Sequence, residues 1–470
     1  MSPDKLVIES IQDLADTMRR ADLPEPAIAS FVLHLQRVKA GTRGTLAEKD
    51  IRPVQGLPDA EHFDRFRERG SSAFGRIAVI KLNGGLGTSM GLDRAKSLLQ
   101  VRGDLSFLDL IAQQILALRK RTHSRIPLLL MNSFRTAEDS EGVLAKYPEL
   151  SHEDLPLGFL QHRVPKVPEN LASGVDTALD DELGWCPPGH GDLFTALGTS
   201  GTLDKLLDTG IEYAFVSNAD NLGAVPDPGI LGYFESEGLD FLLEAANRTP
   251  ADRKGGHLCR HADGRLGLRE SAQCAEEDEE HFQDIGRHRF FNTNNIWLRL
   301  APLRRLLEKY GGFLPLPTIV NRKNLDPRDP SSPPVLQLET AMGAAVELFR
   351  KAAAVRVPRS RFSPVKNTNG LLAVRSDAYE LTEDARVVLR PERSAPPLVR
   401  LDERFYKMID AFDSRFPAGP PSLVRCESLR VVGDVTFGAE VVVEGEVCVH
   451  GGDRPRRIPD GIVLRGDHVA

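Results

Sequence analysis

At 470 residues the chain is longer than one hydrophobic core organises, which implies two or three domains. Its 60 basic and 67 acidic residues leave a net charge of −7, which excludes the basic field of a nucleic-acid binder. Cys186, Cys259, Cys274, Cys426 and Cys448 form no Cys-x-x-Cys pair and read as reduced thiols of a cytoplasmic protein; no apolar run reaches the ~18 residues of a membrane span.

Residues 1–40 read as two amphipathic helices. Leu6, Ile11, Leu14 and Met18 space one apolar face, Ile28, Phe31, Leu35 and Val38 the other, and Leu23-Pro24-Glu25-Pro26 separates them. Residues 41–75 are polar and irregular and read as a linker or surface wrap. From Arg76 the pattern alternates: strands are expected at Ile77–Leu82, Pro127–Asn132, Glu212–Asn218 and Phe241–Ala246, with helices such as Phe107–Arg119 and Leu193–Leu207 between them. That pattern predicts an α/β fold with a mainly parallel sheet, whose ligands sit beyond the carboxyl ends of the strands.

The first strand runs into Lys81-Leu82-Asn83-Gly84-Gly85-Leu86-Gly87-Thr88-Ser89-Met90-Gly91, with Lys96-Ser97 following. Glycine has no Cβ to hold a ligand away and permits positive φ, so successive N–H groups can converge on phosphate oxygens. Lys96 adds a point charge. A P-loop would need Gly-Lys-Ser/Thr, and Gly91 precedes Leu92. A dinucleotide fingerprint would need glycine where Met90 stands.

Two later stretches carry chemistry. In Trp185-Cys186-Pro187-Pro188-Gly189-His190-Gly191-Asp192 the histidine stands between glycines at a helix start, where it can point at a phosphate or sugar, and Asp192 is placed to cap the helix. The strand of Phe215-Val216-Ser217-Asn218-Ala219-Asp220-Asn221 ends on a carboxylate at the sheet edge, which suits Mg2+ shared with substrate phosphates; an Asx-turn is the plainer alternative.

The remaining features read as structure. Glu276–Glu280 is an acidic run expected in a solvated loop, and Pro327–Pro334 is a surface excursion. His257-Leu258-Cys259-Arg260-His261 alternates ligand-type residues, but no fourth zinc ligand stands at a usable spacing and Ala262-Asp263-Gly264 reads as a hairpin turn. Leu429, Val435, Val441 and Val447 recur every six residues, as do Val431, Phe437, Val443 and Val449, and Ile458 and Leu464 continue the step. A period of six with apolar corners predicts a short parallel β-helix whose open end needs a cover, either residues 451–470 folding back or a second copy.

The glycine-loop wording, with Ala95-Lys96-Ser97, resembles the eukaryotic-type UTP–glucose-1-phosphate uridylyltransferases (UDP-glucose pyrophosphorylases), as does Trp-x-Pro-Pro-Gly-His-Gly-Asp. The resemblance implies a Rossmann-like, mixed and mainly parallel nucleotidyltransferase domain over residues 76–380. It places a helical region and linker over 1–75 before that domain. A C-terminal domain with a left-handed parallel β-helix follows over 381–470. It implies UTP and glucose 1-phosphate as substrates, UDP-glucose and pyrophosphate as products, and Mg2+ as cofactor. No nucleic acid or membrane partner is expected, and a homo-oligomer through the β-helix is.

By the same resemblance Lys96 and Lys366, the latter in Pro358-Arg359-Ser360-Arg361-Phe362-Ser363-Pro364-Val365-Lys366, act on the phosphates. Leu82, Asn83, Gly84, Gly85, Gln161, Gly189, Asn218 and Asp220 bind the nucleotide, with Gln161 and Gly189 at the uracil and Asp220 as metal ligand. His190, Lys254, Gly255, Asn292 and Asn294 lie on the sugar-phosphate side. Gln337–Ala345 is a further family element, helical by composition. Leu92-Asp93-Arg94-Ala95 departs from the family's usual loop stem. Relatives acting on N-acetylhexosamines or on UDP-sugars broadly carry Gly-Gly-Gln-Gly-Thr-Arg in the loop, so Leu86 and Ser89 favour glucose. A non-catalytic nucleotide-sugar sensor is disfavoured by the joint presence of Lys96, Asp220 and Lys366.

Overall fold

The computed structural model describes residues 3–469 apart from 42–43, 153, 170–181, 250–251, 254, 327–328 and 330. A mixed sheet forms the centre. Its parallel part places Tyr213–Asn218, Ile77–Asn83, Leu128–Asn132 and Gly158–Leu160 side by side. Phe290–Arg299 lies antiparallel against both Tyr213–Asn218 and Phe241–Asn247, and Phe241–Asn247 pairs in parallel with Ala352–Arg356.

The continuous apolar run Ile77-Ala78-Val79-Ile80 is what a strand covered on both faces requires. Ile77 and Val79 enter a core packed on helix Phe107–Thr122, while Ala78 and Ile80 enter a second core on the opposite face with Leu193, Leu197 and Leu303. The sheet is therefore a middle layer, covered on both faces. All four expected strands form, with ends shifted by one residue.

Four sequence expectations are corrected. The helix expected over Leu193–Leu207 is two, Leu193–Thr199 and Thr202–Asp208, because Gly201 takes φ +70° between them. The stretch Gln337–Ala345 is not helical at its start: Pro334–Glu339 is a strand paired with Ile319–Asn324, and a 3-10 turn begins only at Met342. Val335, Leu336 and Leu338 are buried in that pairing, so tertiary packing overrides the helical composition.

Within residues 44–75, expected as a wrap, Ile51–Pro53 extends the sheet against Cys259–His261, and buried Glu48 accepts from Arg269 (2.7 Å) and Arg287 (2.6 Å). Asp278, expected in a solvated run, completes that network at 2.9 Å from Arg269, whose guanidinium is fully buried and needs compensating charge. His257–His261 and Leu266–Arg269 form the expected hairpin. In the proline-rich stretch, Pro327 and Pro330 lie outside the described residues.

The two N-terminal helices, Pro3–Arg20 and Glu25–Lys39, close a small core: Leu14, Met18, Ile28, Phe31 and Leu35 pack on Val164, Val167, Trp185 and Leu338. A separate C-terminal parallel sheet orders Leu398–Leu401, Cys426–Phe437, Val442–Ile458 and Val463–Val469. Leu429, Val435, Val441, Val447 and their partner series are all buried in it. Its interior is continuous with the core through Val399, Tyr406 and Phe412.

Candidate active site

The carboxyl ends of Ile77–Asn83, Gly158–Leu160 and Tyr213–Asn218 converge on a cleft of about 260 Å3, lined among others by Leu82, Asn83, Gly84, Gly85, Lys96, Gln161, Gly189, His190, Asn218 and Asp220. All eight expected nucleotide-side residues meet there, with one of the expected lysines and the histidine. Convergence follows from the parallel register, since Leu82 pairs with Asn218 and Asn132 with both Asn83 and Leu160.

Locally the glycine loop turns back on itself. The Lys96 N–H donates to the Gly85 carbonyl (3.0 Å), which returns the lysine to the mouth of the loop. Its Nζ lies 2.6 Å from Asp220 Oδ2, whereas the buried Asp220 Oδ1 has no hydrogen-bond partner. A Cβ on Gly84 would stand 2.6 Å from the Gln161 side-chain amide, so a larger residue there would displace that amide.

Gln161 is fixed by its own N–H on the Asn132 carbonyl (2.8 Å) and by its neighbour His162, whose N–H and Nδ1 both bind the Asp192 carboxylate (2.7 and 2.8 Å). This corrects the expectation for Asp192. It begins the helix without a side-chain cap, because His162 occupies its oxygens.

Gly189 takes φ +79°, and a Cβ there would meet the Thr340 backbone at 2.5 Å. Thr340 N–H donates to Pro188 and Gly191 N–H to Thr340, so this loop is laced to the segment following the Pro334–Glu339 strand. His190 Nδ1 accepts from the Met342 N–H at 3.0 Å, and burial pushes its pKa down to about 4. The ring is therefore neutral near pH 7, with its single proton on Nε2.

Lys366 is exposed and stands outside the cleft lining, but the preceding Val365 N–H donates to the Asp220 carbonyl (3.3 Å), bringing the two segments edge to edge. The lysine segment is anchored by Arg361, which forks onto the fully buried Glu244 (2.6 and 2.9 Å), itself bound by Trp297 Nε1 and Asn295 Nδ2. Asn292 and Asn294 are hydrogen-bonded to each other, and Gly255 packs on Phe291; these three form a neighbouring cluster rather than part of the cleft wall. Lys254 lies outside the described residues.

Two residues here were missed. Glu270, whose carboxyl is raised by burial despite Asn292 and Lys366 nearby, sits in an unremarkable sequence context that carries no signal. Lys81 had one: a lysine inside a strand buried on both faces. Its Nζ donates to Ser217 Oγ and the Ala224 carbonyl, both at 2.8 Å, spanning the two ends of the loop that carries Asp220.

Buried neutral histidines also set an expected acid response. Burial holds His34 and His190 at about 4 and His257 at about 2. Below the unfolded value near 6.5 the unfolded chain binds more protons than the folded one, so stability should fall as pH drops from 6.5 towards 4. His34 and His257, both buried in the packed interior, should each cost on the order of 1–2 kcal/mol by pH 5. Urea unfolding of wild type and His34→Gln across pH 7 to 5 checks this; parallel curves for the two proteins would contradict it.

Residues 30–444 match the family described as UTP–glucose-1-phosphate uridylyltransferase. The chain is 42% identical over 398 residues to the UTP–glucose-1-phosphate uridylyltransferase of Solanum tuberosum, covering 84% of this chain and 81% of that one. It is 42% identical to that of Saccharomyces cerevisiae, covering 84% and 78%. A solved variant of Leishmania major UDP-glucose pyrophosphorylase, in complex with UDP-glucose, superposes with a TM-score of 0.91 at 41% identity, covering 98% of this chain and 99% of that one.

Proposed function

The chain belongs to the UTP–glucose-1-phosphate uridylyltransferase family and forms UDP-glucose and pyrophosphate from UTP and glucose 1-phosphate, and we infer that it does so by direct in-line transfer at the cleft of Lys96 and Asp220. The observation that carries this is the 2.6 Å Lys96–Asp220 pair at the mouth of the glycine loop, flanked by Gln161 and His190.

In this reading a phosphate oxygen of glucose 1-phosphate forms a bond to the α-phosphorus of UTP. The bond from that phosphorus to the bridging oxygen breaks, and its electron pair leaves with pyrophosphate. The attacking monoester is already anionic at pH 7, so no general base is needed and the protein positions groups and neutralises charge. Gly84 and Gly85 bring backbone close to the triphosphate, Lys96 exchanges Asp220 for phosphate oxygens, and Lys366 approaches from the Asp220 flank. Neutral His190 donates from Nε2 towards the sugar phosphate, while Gly255, Asn292, Asn294 and Lys254 serve the sugar side.

Mg2+ fits the donor set. Asp220 Oδ1 is a buried carboxylate oxygen without a partner, and one carboxylate with substrate phosphates and water is an ordinary shell for this ion. Bound there, it would supply positive charge to the phosphates.

A UTP analogue with sulfur at the α-phosphorus, of known configuration, tests the transfer. Inversion is expected, and retention would overturn direct attack. Gln161 can donate to and accept from the uracil edge beside Gly84 and Gly189. Gln161→Ala should therefore narrow the preference for UTP over CTP roughly tenfold or more. An unchanged ratio of kcat/KM removes it from base recognition.

We also propose that the C-terminal sheet coils as a left-handed β-helix. Leu429 pairs with Val447 and Val431 with Val449, eighteen residues on, which is three six-residue steps per coil. Val463–Val469 ends that sheet with Val469 77% exposed, and a second copy covering this edge would make a homo-oligomer. Solution mass of the full chain and of Val469→Asp checks this, and a monomer at micromolar concentration overturns it. Among the described residues no helix is long and apolar enough to cross a membrane; the five free cysteines support a reducing, cytoplasmic setting.

A further inference from the structure

The outer face of the C-terminal sheet holds a constellation that the transfer reaction does not use. Val447 and Val449 point into the core, so by the two-residue alternation of a strand Cys448 and His450 share the outward face. On the adjacent parallel strand Asp467 is the register partner of Cys448. It arrives there through an irregularity between Glu444 and Val447, with Gly466 at φ +63°. Without that shift another residue would oppose the thiol.

Cys448 Sγ lies 3.2 Å from His450 Nε2, and one ligand atom from each of Cys448, His450 and Asp467 falls within 4.8 Å of the others. Bond lengths of about 2.0–2.3 Å to a tetrahedral zinc ion put its ligand atoms roughly 3.3–3.8 Å apart, so small side-chain rotations would close this trio on one ion. Arg430 flanks Cys448 on the opposite strand, which leaves the Asp467 side for a cation.

We propose that Cys448, His450 and Asp467 form a zinc-binding site that ties the terminal strand Val463–Val469 to Val442–Ile458. The donor set selects the metal class. A thiolate and an imidazole favour Zn2+ over Mg2+ or Ca2+, which take oxygen ligands, so this site is chemically distinct from the one at Asp220. Three protein ligands leave a fourth position for water. The mechanical consequence follows from position: an ion bridging the last two strands restrains an edge strand whose Val463 and Val469 are exposed. Binding the folded state alone would raise the melting temperature with zinc concentration.

The test uses the full chain, treated with chelator under a non-thiol reductant and then titrated with ZnCl2. Native mass spectrometry should show one retained equivalent, and Co2+ in its place should give a thiolate charge-transfer band. Cys448→Ser should abolish the band and weaken Zn2+ retention at least about tenfold. Asp467→Asn should release the ion to a competing chromogenic chelator at lower concentration. Zinc should raise the melting temperature of wild type and not of Cys448→Ser, and both variants should keep wild-type uridylyl transfer because the trio lies outside the cleft. A Cys448→Ser chain that still retains the ion, an Asp467→Asn chain with an unchanged release curve, or a wild-type chain that retains none would overturn the site.

Discussion

Lys96→Ala and Lys366→Ala should each lower kcat/KM by about 10²–10³-fold while the fold survives, a loss of roughly 2–4 kcal/mol of transition-state stabilisation. The two lysines reach the phosphates from different segments. Lys96 is returned by the glycine loop's hydrogen bond to Gly85, and Lys366 is carried by the segment that Arg361 anchors on Glu244. Neither belongs to the apolar core: Lys366 is exposed, and Lys96 lines the cleft. The loss should therefore appear in turnover and not in the melting temperature. Near-wild-type kcat/KM in either folded variant would remove that lysine from the mechanism.

Asp220→Asn should raise the Mg2+ concentration required for half-maximal activity by at least about tenfold, since asparagine keeps the shape and removes the charge that attracts the ion. The substitution also leaves Lys96 without its anionic neighbour at 2.6 Å, so KM for UTP can change in either direction and is a poor readout. Two measurements separate the effects: the Mg2+ dependence of kcat, and binding of Mn2+ with nucleotide followed by electron paramagnetic resonance. Full activity in excess chelator, or unchanged Mn2+ binding in Asp220→Asn, would show that the metal is held elsewhere.

Much of the site was legible in the chain because parallel sheets gather loops. Glycines after Ile77–Asn83 and the Asn-x-Asp after Tyr213–Asn218 are each local signals, and adjacent strands in register must bring them together. Local chemistry alone determined the buried strands, the glycine loop's suitability for phosphates, the hairpin at Ala262–Gly264 and the six-residue apolar step of residues 429–449.

Only the tertiary structure decided which partner won each competition. Asp192 could cap a helix or bind His162, and proximity across thirty residues settled it. Gln337–Glu339 could continue a helix or pair with Ile319–Asn321, and burial of Leu336 and Leu338 favoured the strand. Glu48 looked like linker until Arg269 and Arg287 met it from far along the chain. The His190 tautomer depends on a Met342 amide 152 residues away. Spacing within a sequence encodes period, turn and local charge. It does not encode which distant group arrives to satisfy a buried donor or acceptor, because that is set by the packing of whole layers.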